Sequence, residues 1–445
     1  MSEHPILIDK TTLRNGIRVL SEVIPGMRSI SVGVLIDAGS KDEADDQRGY
    51  AHFLEHMIFQ GTGSRDARQI AEMMTIGGGA IGAFTTRDYT VYYATVLDDY
   101  LTFALEVLGD MLCNSILPEE GIARQRGVIL NELATAYNPI ETVNNLLKTS
   151  LWPTHPIGYP TIGTAESIEK VTQASLRRFM QTHYLSNQVV VAAAGRVELE
   201  DFAAQVEDSF RLMKPGDLPS KPSTPDTLTG QLIATPFDMQ QVYFALAWPA
   251  PSYTDDDRYK WHVFSSVIGS GPTSRLYTKL REERGLVYQI SSQYQAYGTA
   301  GALVIEGATM PQALVPVLAN ILIELVNLSE TLVNLDEHHR VVQSMVSQHY
   351  VSGDSTYTRM SRLALQENYF GRVVSSKDIS AGIQSVVPDE VQGVAQQICE
   401  IGLPTTVLVG PVNAELLHEI SSMLADFGDL ATPQLLVNGA NVLVQ

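Results

Sequence analysis

Two histidines and a glutamate lie within five residues of one another in the sequence GYAHFLEHM, at residues 49–57. In a helix, His52 and His56 are four residues apart and project from the same face. Two imidazoles in that arrangement can bind one metal ion, and Glu55 beside them can accept a proton from a water on the metal. The spacing predicts a zinc site with Glu55 as general base; the alternative is a pair of core histidines satisfied by hydrogen bonds.

A third ligand must come from elsewhere in the chain, because a catalytic zinc takes three protein ligands and leaves one position for water. The candidate is Glu132, which lies in the helical pattern QRGVILNELATAY at residues 125–137. Its neighbours include Val128, Ile129 and Leu133, and a carboxylate in apolar surroundings is costly unless it finds a cation. The alternative is a solvated or salt-bridged glutamate on a helix surface, and the residues by themselves leave both interpretations open.

The chain carries 50 acidic and 30 basic residues over 445 positions, a formal net charge of −20. This balance argues against a nucleic-acid partner, since phosphate binding needs a cationic surface. It favours solubility, and it would also suit a positively charged ligand such as a basic peptide. The two cysteines, Cys113 and Cys399, are far apart in sequence, so we expect buried thiols rather than a disulfide or a cysteine metal site.

The sequence pattern predicts neither a membrane segment nor a targeting signal. No apolar run approaches the ~20 residues needed to cross a bilayer. The opening residues, MSEHPILIDKTTLRNG, lack the basic-then-apolar order of a secretory signal and the arginine-rich composition of a transit peptide. We therefore expect a cytoplasmic protein with no membrane partner.

Alternating apolar positions and helical periodicity together indicate an α+β fold. Residues 29–40 have the pattern of a strand, and residues 82–96 have the β-branched and aromatic content of a strand pair. Helical patterns cover residues 49–60, 65–76, 98–111 and 118–137. The segment 213–230 is rich in proline, serine, threonine and glycine, which is typical of a linker between domains.

The order of strand, polar turn and helix occurs twice, at residues 29–62 and again at residues 240–271. We therefore predict two homologous modules, 1–220 and 221–445, each an antiparallel sheet packed with several long helices. The second module has RYKWHVFSSVI, at residues 258–268, where the first has its histidines and glutamate. The first module is thus expected to carry the chemistry.

Three segments, AHFLEHMIFQGT, GGAIGAFTTRDYTVYY and RGVILNELATAYNP, together resemble the pitrilysin or insulinase family of zinc peptidases. The order H-x-x-E-H is the inverzincin signature, and the interval of 76 residues between His56 and Glu132 is similar to that of the family. HPIGYPTIGTAESI at 155–168 and SRLYTKLREERGLVY at 274–288 also resemble family segments. The resemblance is closer to the short branch, which includes mitochondrial processing peptidase and bacterial homologues.

The resemblance implies a role for each residue of the cluster. His52, His56 and Glu132 look like the ligands of one Zn²⁺ per chain, and Glu55 looks like the general base. Many relatives have a second glutamate seven residues before the ligand glutamate, whereas this chain has Gln125 there. Glutamine can still orient a ligand from the second coordination sphere by hydrogen bonding, but it adds no negative charge.

The resemblance also implies a set of substrate-binding residues: Arg281, Tyr288, Ala83, Phe84 and Thr85. The arginine and the tyrosine resemble a pair that holds substrate at the metal, where both can donate hydrogen bonds to a peptide carbonyl. The other three belong to a strand against which an extended peptide pairs main chain to main chain. This chain departs from the family at Gly82, where relatives usually have an asparagine.

Long family members carry four such modules in one chain, which close around a chamber. A chain with two modules therefore implies a second subunit that completes a clam-shell chamber. We expect a homodimer, since one chain carries both the zinc residues and the arginine–tyrosine pair; a heterodimer with a related chain is the alternative. The implied function is a zinc-dependent metallo-endopeptidase that hydrolyses peptides or unfolded segments. The rival function is a non-catalytic or weakly catalytic peptide-binding scaffold of the same fold.

Overall fold

The computed structural model describes residues 7–76, 79–135, 138–221, 223–427 and 434–437, which form two six-stranded sheets and many helices. The strands, numbered in chain order, are β1 Leu7–Thr12, β2 Arg18–Val23, β3 Ser29–Ile36, β4 Ala80–Thr85, β5 Thr90–Leu97, β6 Val189–Gly195, β7 Gln231–Pro236, β8 Val242–Ala250, β9 Val287–Ala296, β10 Gly301–Thr309, β11 Thr405–Gly410 and β12 Gln434–Val437.

The α-helices, also numbered in chain order, are α1 Tyr50–Ile58, α2 Ala67–Ile76, α3 Leu101–Asn114, α4 Glu119–Thr135, α5 Pro139–Leu151, α6 Ala165–Glu169, α7 Gln173–His183, α8 Leu199–Ser209, α9 Arg258–Gly269, α10 Pro311–Glu330, α11 Leu335–Ser352, α12 Thr356–Phe370, α13 Ser376–Ser385, α14 Pro388–Ile401 and α15 Ala414–Phe427. A π-helical segment, Tyr277–Glu283, precedes β9.

The elements predicted around the candidate site are present, with ends shifted by a few residues. The predicted helices at 49–60 and 65–76 are α1 and α2, and the predicted strand pair is the antiparallel hairpin β4–β5. The helix predicted from residue 98 begins as α3 only after a short 3-10 turn, Asp98–Tyr100. The predicted end of α4 at residue 137 lies outside the described residues, and the helix is described as far as Thr135.

The chain forms two compact units, and each is built from three segments. The first unit comprises the described residues of Met1–Thr135, Tyr159–Pro222 and Tyr350–Val374, and the second comprises those of Ala136–Gly158, Ser223–His349 and Ser375–Gln445. The chain passes from the first unit to the second between residues 222 and 223, close to the predicted boundary at 220. The units differ from the predicted modules because α5 belongs to the second unit and α12 to the first.

Packing of apolar side chains explains this exchange of segments. In α5, Leu147 and Leu151 are buried against Val407 of β11 in the second unit's sheet. In α12, Met360 and Leu363 are buried against one face of the first unit's sheet. Each exchanged helix therefore covers a sheet face made largely by the other half of the sequence.

The two sheets share one strand order, which confirms the duplication predicted from the sequence. Sheet 1 has the order β1-β2-β6-β3-β5-β4, and sheet 2 has the order β12-β7-β11-β8-β10-β9. In sheet 2, the strands β7, β8, β9, β10 and β11 occupy the positions that β2, β3, β4, β5 and β6 occupy in sheet 1. Most strand pairs are antiparallel, as predicted, whereas β2–β6, β7–β11 and β12–β7 are parallel. A parallel pair needs a long crossover connection, and helices supply it here.

Both faces of sheet 1 are buried, so its central strands are apolar along their whole length. In β3, Val32 and Val34 face the helices that include α1, whereas Leu35 faces α12. Gly33 lies between them because a Cβ at this position would overlap the sulfur of Met360. The strand that supports the candidate site is thus held from both sides.

Among the described residues, one helix has the length and hydropathy of a membrane span, and it is α10. The sequence pattern predicted no apolar segment of this length, and α10 has 20 residues. Its side chains Leu318, Ile321 and Leu325 are fully buried in the core of the second unit. Burial within that core therefore accounts for its hydropathy.

A buried histidine in the first unit predicts acid sensitivity of the fold. His183 ends α7 with 6% of its surface exposed, and its Nδ1 atom has no hydrogen-bond partner among the described residues. Burial lowers the pKa of His183 to about 4. The unfolded chain, with a histidine pKa near ~6.5, therefore binds more protons than the folded chain between these two values. Stability from neutral His183 is complete above pH ~6.5 and is lost as pH falls through about 4.

We expect the free energy of unfolding to fall by up to about 3 kcal/mol from this group between pH ~6.5 and ~4. Urea denaturation of the protein and of the His183→Gln variant at several pH values measures the effect. The variant is expected to have a shallower decline, because glutamine does not titrate. Other groups, His262 among them, also make the folded state less stable as pH falls. The test therefore compares how steeply the free energy of unfolding falls with pH in the two proteins. Equal slopes would contradict the assignment to His183.

Candidate metal centre

A buried glutamate fixes the start of the helix that carries the two histidines. Glu43 is 4% exposed, and its carboxylate accepts hydrogen bonds from the backbone N–H groups of Gly49 (2.7 Å) and Ala51 (2.8 Å). A carboxylate at this end also interacts favourably with the helix dipole. Gly49 has a φ of 88°, which a residue with a side chain rarely adopts, so glycine makes the turn into α1.

The rest of α1 separates an apolar face from a polar one. Phe53, Leu54 and Met57 are fully buried in the core of the first unit. His52 and His56 lie on the other face, with their Nε2 atoms 3.2 Å apart and about a fifth of each side chain exposed. The structure thus places the two imidazoles side by side, as their four-residue spacing predicts.

Glu132 of α4 completes a group of three converging atoms. Its Oε2 atom lies 3.8 Å from Nε2 of His52 and 3.9 Å from Nε2 of His56. Zinc binds imidazole nitrogen and carboxylate oxygen at ~2.0–2.2 Å, so ligand atoms at tetrahedral corners are roughly 3.3–3.6 Å apart. The three atoms can hold a metal ion after shifts of a few tenths of an ångström. The Glu132 side chain is 43% exposed, so the group is open to solvent on one side.

A hydrogen bond at His56 and burial at His52 support the metal-binding forms of the two rings. The Nδ1 atom of His56 lies 3.0 Å from Oε1 of Gln125. The amide oxygen can only accept, so Nδ1 carries the proton and Nε2 keeps a lone pair. Burial, together with the nearby His56, lowers the pKa of His52 to about 4, so His52 is neutral at pH 7. Two nitrogen lone pairs and a carboxylate this close favour a cation between them, and the residues fit a zinc ion.

Glu55 lies on the same helix and is held by the neighbouring strand. The hydroxyl of Thr85 donates a hydrogen bond of 2.6 Å to Oε2 of Glu55. Burial raises the pKa of Glu55, and the hydrogen bond from Thr85 and the nearby His56 oppose this change. A carboxylate with a raised pKa is a stronger base, and the negative charge of Glu132 nearby adds to this rise in the pKa of Glu55.

The predicted substrate strand is β4, and it is an edge strand of sheet 1. One of its edges pairs with β5, whereas no described strand pairs with the other. Ala83 and Phe84 lie half-buried in it, and Phe84 packs against Tyr93 and Tyr89. An unpaired edge of this kind can accept an extended peptide by main-chain hydrogen bonding.

The structure explains why residue 82 of the same strand is a glycine. A Cβ at this position would lie 2.7 Å from the hydroxyl of Tyr93, its partner across the hairpin. An asparagine here would therefore require the Tyr93 ring to move. The space that a side chain at position 82 would need is occupied by the phenol of Tyr93.

Arg281 and Tyr288 lie together in the second unit, whereas the histidines lie in the first. Arg281 belongs to the π-helical segment and Tyr288 is the second residue of β9. The guanidinium carbon lies 5.5 Å from the centre of the Tyr288 ring and 4.9 Å from that of Tyr277. Tyr288 is 71% exposed, so both polar groups are open to a ligand.

Sequence reasoning missed two positioning contacts. Glu43 precedes the helix by seven residues and matches no N-cap pattern, so its role was not visible in the sequence. Thr85 was expected to contact substrate, but its hydroxyl is used to hold Glu55. A threonine on a strand next to a catalytic helix is the only signal that could have suggested this contact.

Comparison with known families and proteins places this site in context. Residues 18–165 match the family model described as insulinase, peptidase family M16, and residues 170–345 match the model described as peptidase M16 inactive domain. A protein of Streptomyces coelicolor named as an uncharacterized zinc protease is 32% identical over 430 residues, covering 94% of this chain and 93% of that protein. The Bacillus subtilis protein YmxG, with the same description, is 31% identical and covers 88% and 96%.

Solved structures share the fold. A peptidase M16 inactive domain from Pseudomonas fluorescens has a TM-score of 0.86 at 20% identity, covering 92% of this chain and 99% of that one. A protease from Helicobacter pylori has a TM-score of 0.84 at 20% identity, covering 91% and 100%. The two family models together match residues 18–165 and 170–345, and the relatives match most of the chain. This chain therefore belongs to the insulinase family of peptidases, family M16.

Proposed function

We propose that this chain is a zinc-dependent metallo-endopeptidase that cleaves peptides or unfolded segments. The observation that carries the proposal is the convergence of Nε2 of His52, Nε2 of His56 and Oε2 of Glu132 within 3.9 Å of one another. These three residues are the proposed zinc ligands, with one ion per chain. Zinc at this position supplies a water of lowered pKa and polarises a peptide carbonyl.

Glu55 is the proposed general base. Its carboxylate, held by Thr85, accepts a proton from the attacking water and then donates it to the departing amine. The raised pKa of Glu55 brings this group closer to the pH at which it must both take and give a proton. Gln125 holds the tautomer of His56 that leaves Nε2 free.

The open edge of β4 is the proposed platform for the substrate main chain. Ala83 and Phe84 belong to that edge, and backbone pairing there is largely independent of the peptide sequence. Arg281 and Tyr288 are proposed to donate hydrogen bonds to the substrate near the scissile carbonyl. Their stacked and exposed arrangement supports this role.

We further propose that two chains form the working enzyme, as a homodimer with a closed chamber. In this arrangement the Arg281–Tyr288 pair of each chain serves the zinc centre of the other. The presence of both features in one chain supports self-association. The net charge of −20 suits basic peptides.

Replacing Glu55 by glutamine tests the chemistry. Removal of a general base is expected to lower kcat by about 10²–10⁴-fold with little change in zinc content. Cleavage of a panel of quenched fluorescent peptides measures the activity, and metal analysis of the same sample measures the zinc. Glu106→Gln, an exposed substitution on α3, is the matched control and should behave as the unchanged protein.

Two results of that experiment would oppose the proposal. Undiminished cleavage by the Glu55→Gln protein would remove Glu55 from the role of base. Full zinc content without turnover by the unchanged protein, over the whole panel, would favour the peptide-binding scaffold instead.

Changing Gln125 tests the hydrogen bond to His56. Gln125→Ala is expected to weaken zinc binding by about 10–100-fold, because the ring loses the partner that fixes its tautomer. Gln125→Glu should strengthen zinc binding, since a negative charge beside Nδ1 makes the ring a better donor to the metal. Competition with a chromophoric chelator measures both affinities, with Asn131→Ala on the exposed face of α4 as control. Equal affinities in all four proteins would show that the contact does not tune the site.

Complementation between two inactive variants tests the exchange of residues between chains. Glu55→Gln and Arg281→Ala chains are expected to be weakly active alone. Mixed dimers make up about half of a random pairing, and each contains one complete site out of two. Mixing should therefore restore about a quarter of the original kcat per chain. An activity equal to the average of the two variants would contradict the shared site.

A further inference from the structure

A cavity of about 310 Å³ lies in the first unit, between the end of α3, the helix α7 and the turn after α8. None of its lining residues belongs to the proposed zinc centre or to β4. Its apolar wall includes Leu112, Met180, Leu185 and Met213. We refer to it as the α3–α7 cavity.

The charged residues that line this cavity are all basic. Arg177 and Lys214 line it, and no aspartate or glutamate does. One guanidinium nitrogen of Arg177 donates a hydrogen bond of 2.7 Å to the carbonyl oxygen of Ile116, which holds the side chain in place. Within the described part of the chain, neither cation forms a salt bridge. In a protein with 50 acidic residues against 30 basic ones, two such cations facing one cavity make a local anion site.

A buried hydroxyl also lines the α3–α7 cavity. Ser115 is 7% exposed, and its Oγ atom is buried with no hydrogen-bond partner among the described residues. A buried hydroxyl without a partner is unfavourable, and most such groups in folded proteins are satisfied by water or by a ligand. The Oγ atom itself is closed off from the cavity, so this hydroxyl does not contact an occupant there.

We propose that the α3–α7 cavity binds an aliphatic carboxylate, with the carboxylate at Arg177 and Lys214 and the chain against the apolar wall. The occupant must be anionic at one end, because the cations have no acidic partner there. It must be apolar at the other end, because leucine and methionine side chains form much of the remaining wall. The cavity volume equals roughly ten water molecules, and octanoate has the same number of non-hydrogen atoms.

Calorimetric titration with octanoate tests whether the site binds. A well-placed ligand of this size is expected to have a dissociation constant of about 1 mM or lower. Octan-1-ol, which has the same chain and no charge, should bind at least tenfold more weakly. N-acetyl-leucine presents a carboxylate and an aliphatic group on a peptide frame. Tighter binding of octanoate identifies a fatty acid, and tighter binding of N-acetyl-leucine identifies a peptide carboxyl terminus.

Chemical labelling of the two cysteines tests where the ligand binds. Cys113 lines the cavity, whereas Cys399 lies in the second unit and serves as an internal control. Burial raises the pKa of both thiols, so labelling with iodoacetamide is done at mildly alkaline pH and followed by mass spectrometry. Saturating octanoate is expected to slow labelling of Cys113 at least fivefold and to leave Cys399 unchanged.

Variants identify the groups that hold the carboxylate. Lys214→Gln and Arg177→Gln are expected to weaken octanoate binding by about five- to tenfold each. Lys377→Gln, an exposed substitution in α13, should bind as the unchanged protein does. Absence of binding up to 10 times the expected dissociation constant, equal binding of octan-1-ol, or unchanged affinity in both cavity variants would overturn the proposal.

Discussion

The structure of the site depends on the repulsion between electron pairs that the fold forces together. Two imidazole nitrogens and a carboxylate oxygen lie within 3.9 Å of one another. When both rings carry their proton on Nδ1, each of these atoms directs a lone pair at the others, and water can relieve this crowding only in part because the rings are mostly buried. Under the proposed function a divalent cation would relieve this repulsion, so the fold itself would favour metal binding.

Several elements share the work of holding these groups. Glu43 fixes the first turn of α1, and the buried residues Phe53 and Met57 fix its rotation. Gln125 and Glu132 are seven residues, or two turns, apart on α4, so one helix supplies both a proposed ligand and the hydrogen-bond partner of another proposed ligand. Sheet 1 in turn supports α1 from below and presents β4 beside it. Positions far from the chemistry therefore determine its geometry.

Much of this could be predicted from the sequence, for reasons that are local. The spacing of His52 and His56 requires only that their segment is helical, and the apolar periodicity of α1 shows that it is. The distant Glu132 could be assigned only through the family resemblance, because nothing in its own surroundings distinguishes it from a surface glutamate. The roles of Glu43 and Thr85 could not be predicted, since they depend on the packing of a loop and a strand against α1. The parallel strand pairs escaped prediction for the same reason, because strand order is a property of the whole unit.

The exchange of α5 and α12 has a consequence for synthesis of the chain. Strands β1 to β6 are complete at Gly195, yet α12, which covers one face of their sheet, begins only at Thr356. About 160 residues must be translated between these points, which takes roughly 8–30 s at ribosomal rates. During that time an apolar face centred on Leu35 and Val190 has no cover from its own helix. This apolar face is therefore open to association with other chains until the C-terminal half of the protein has been made.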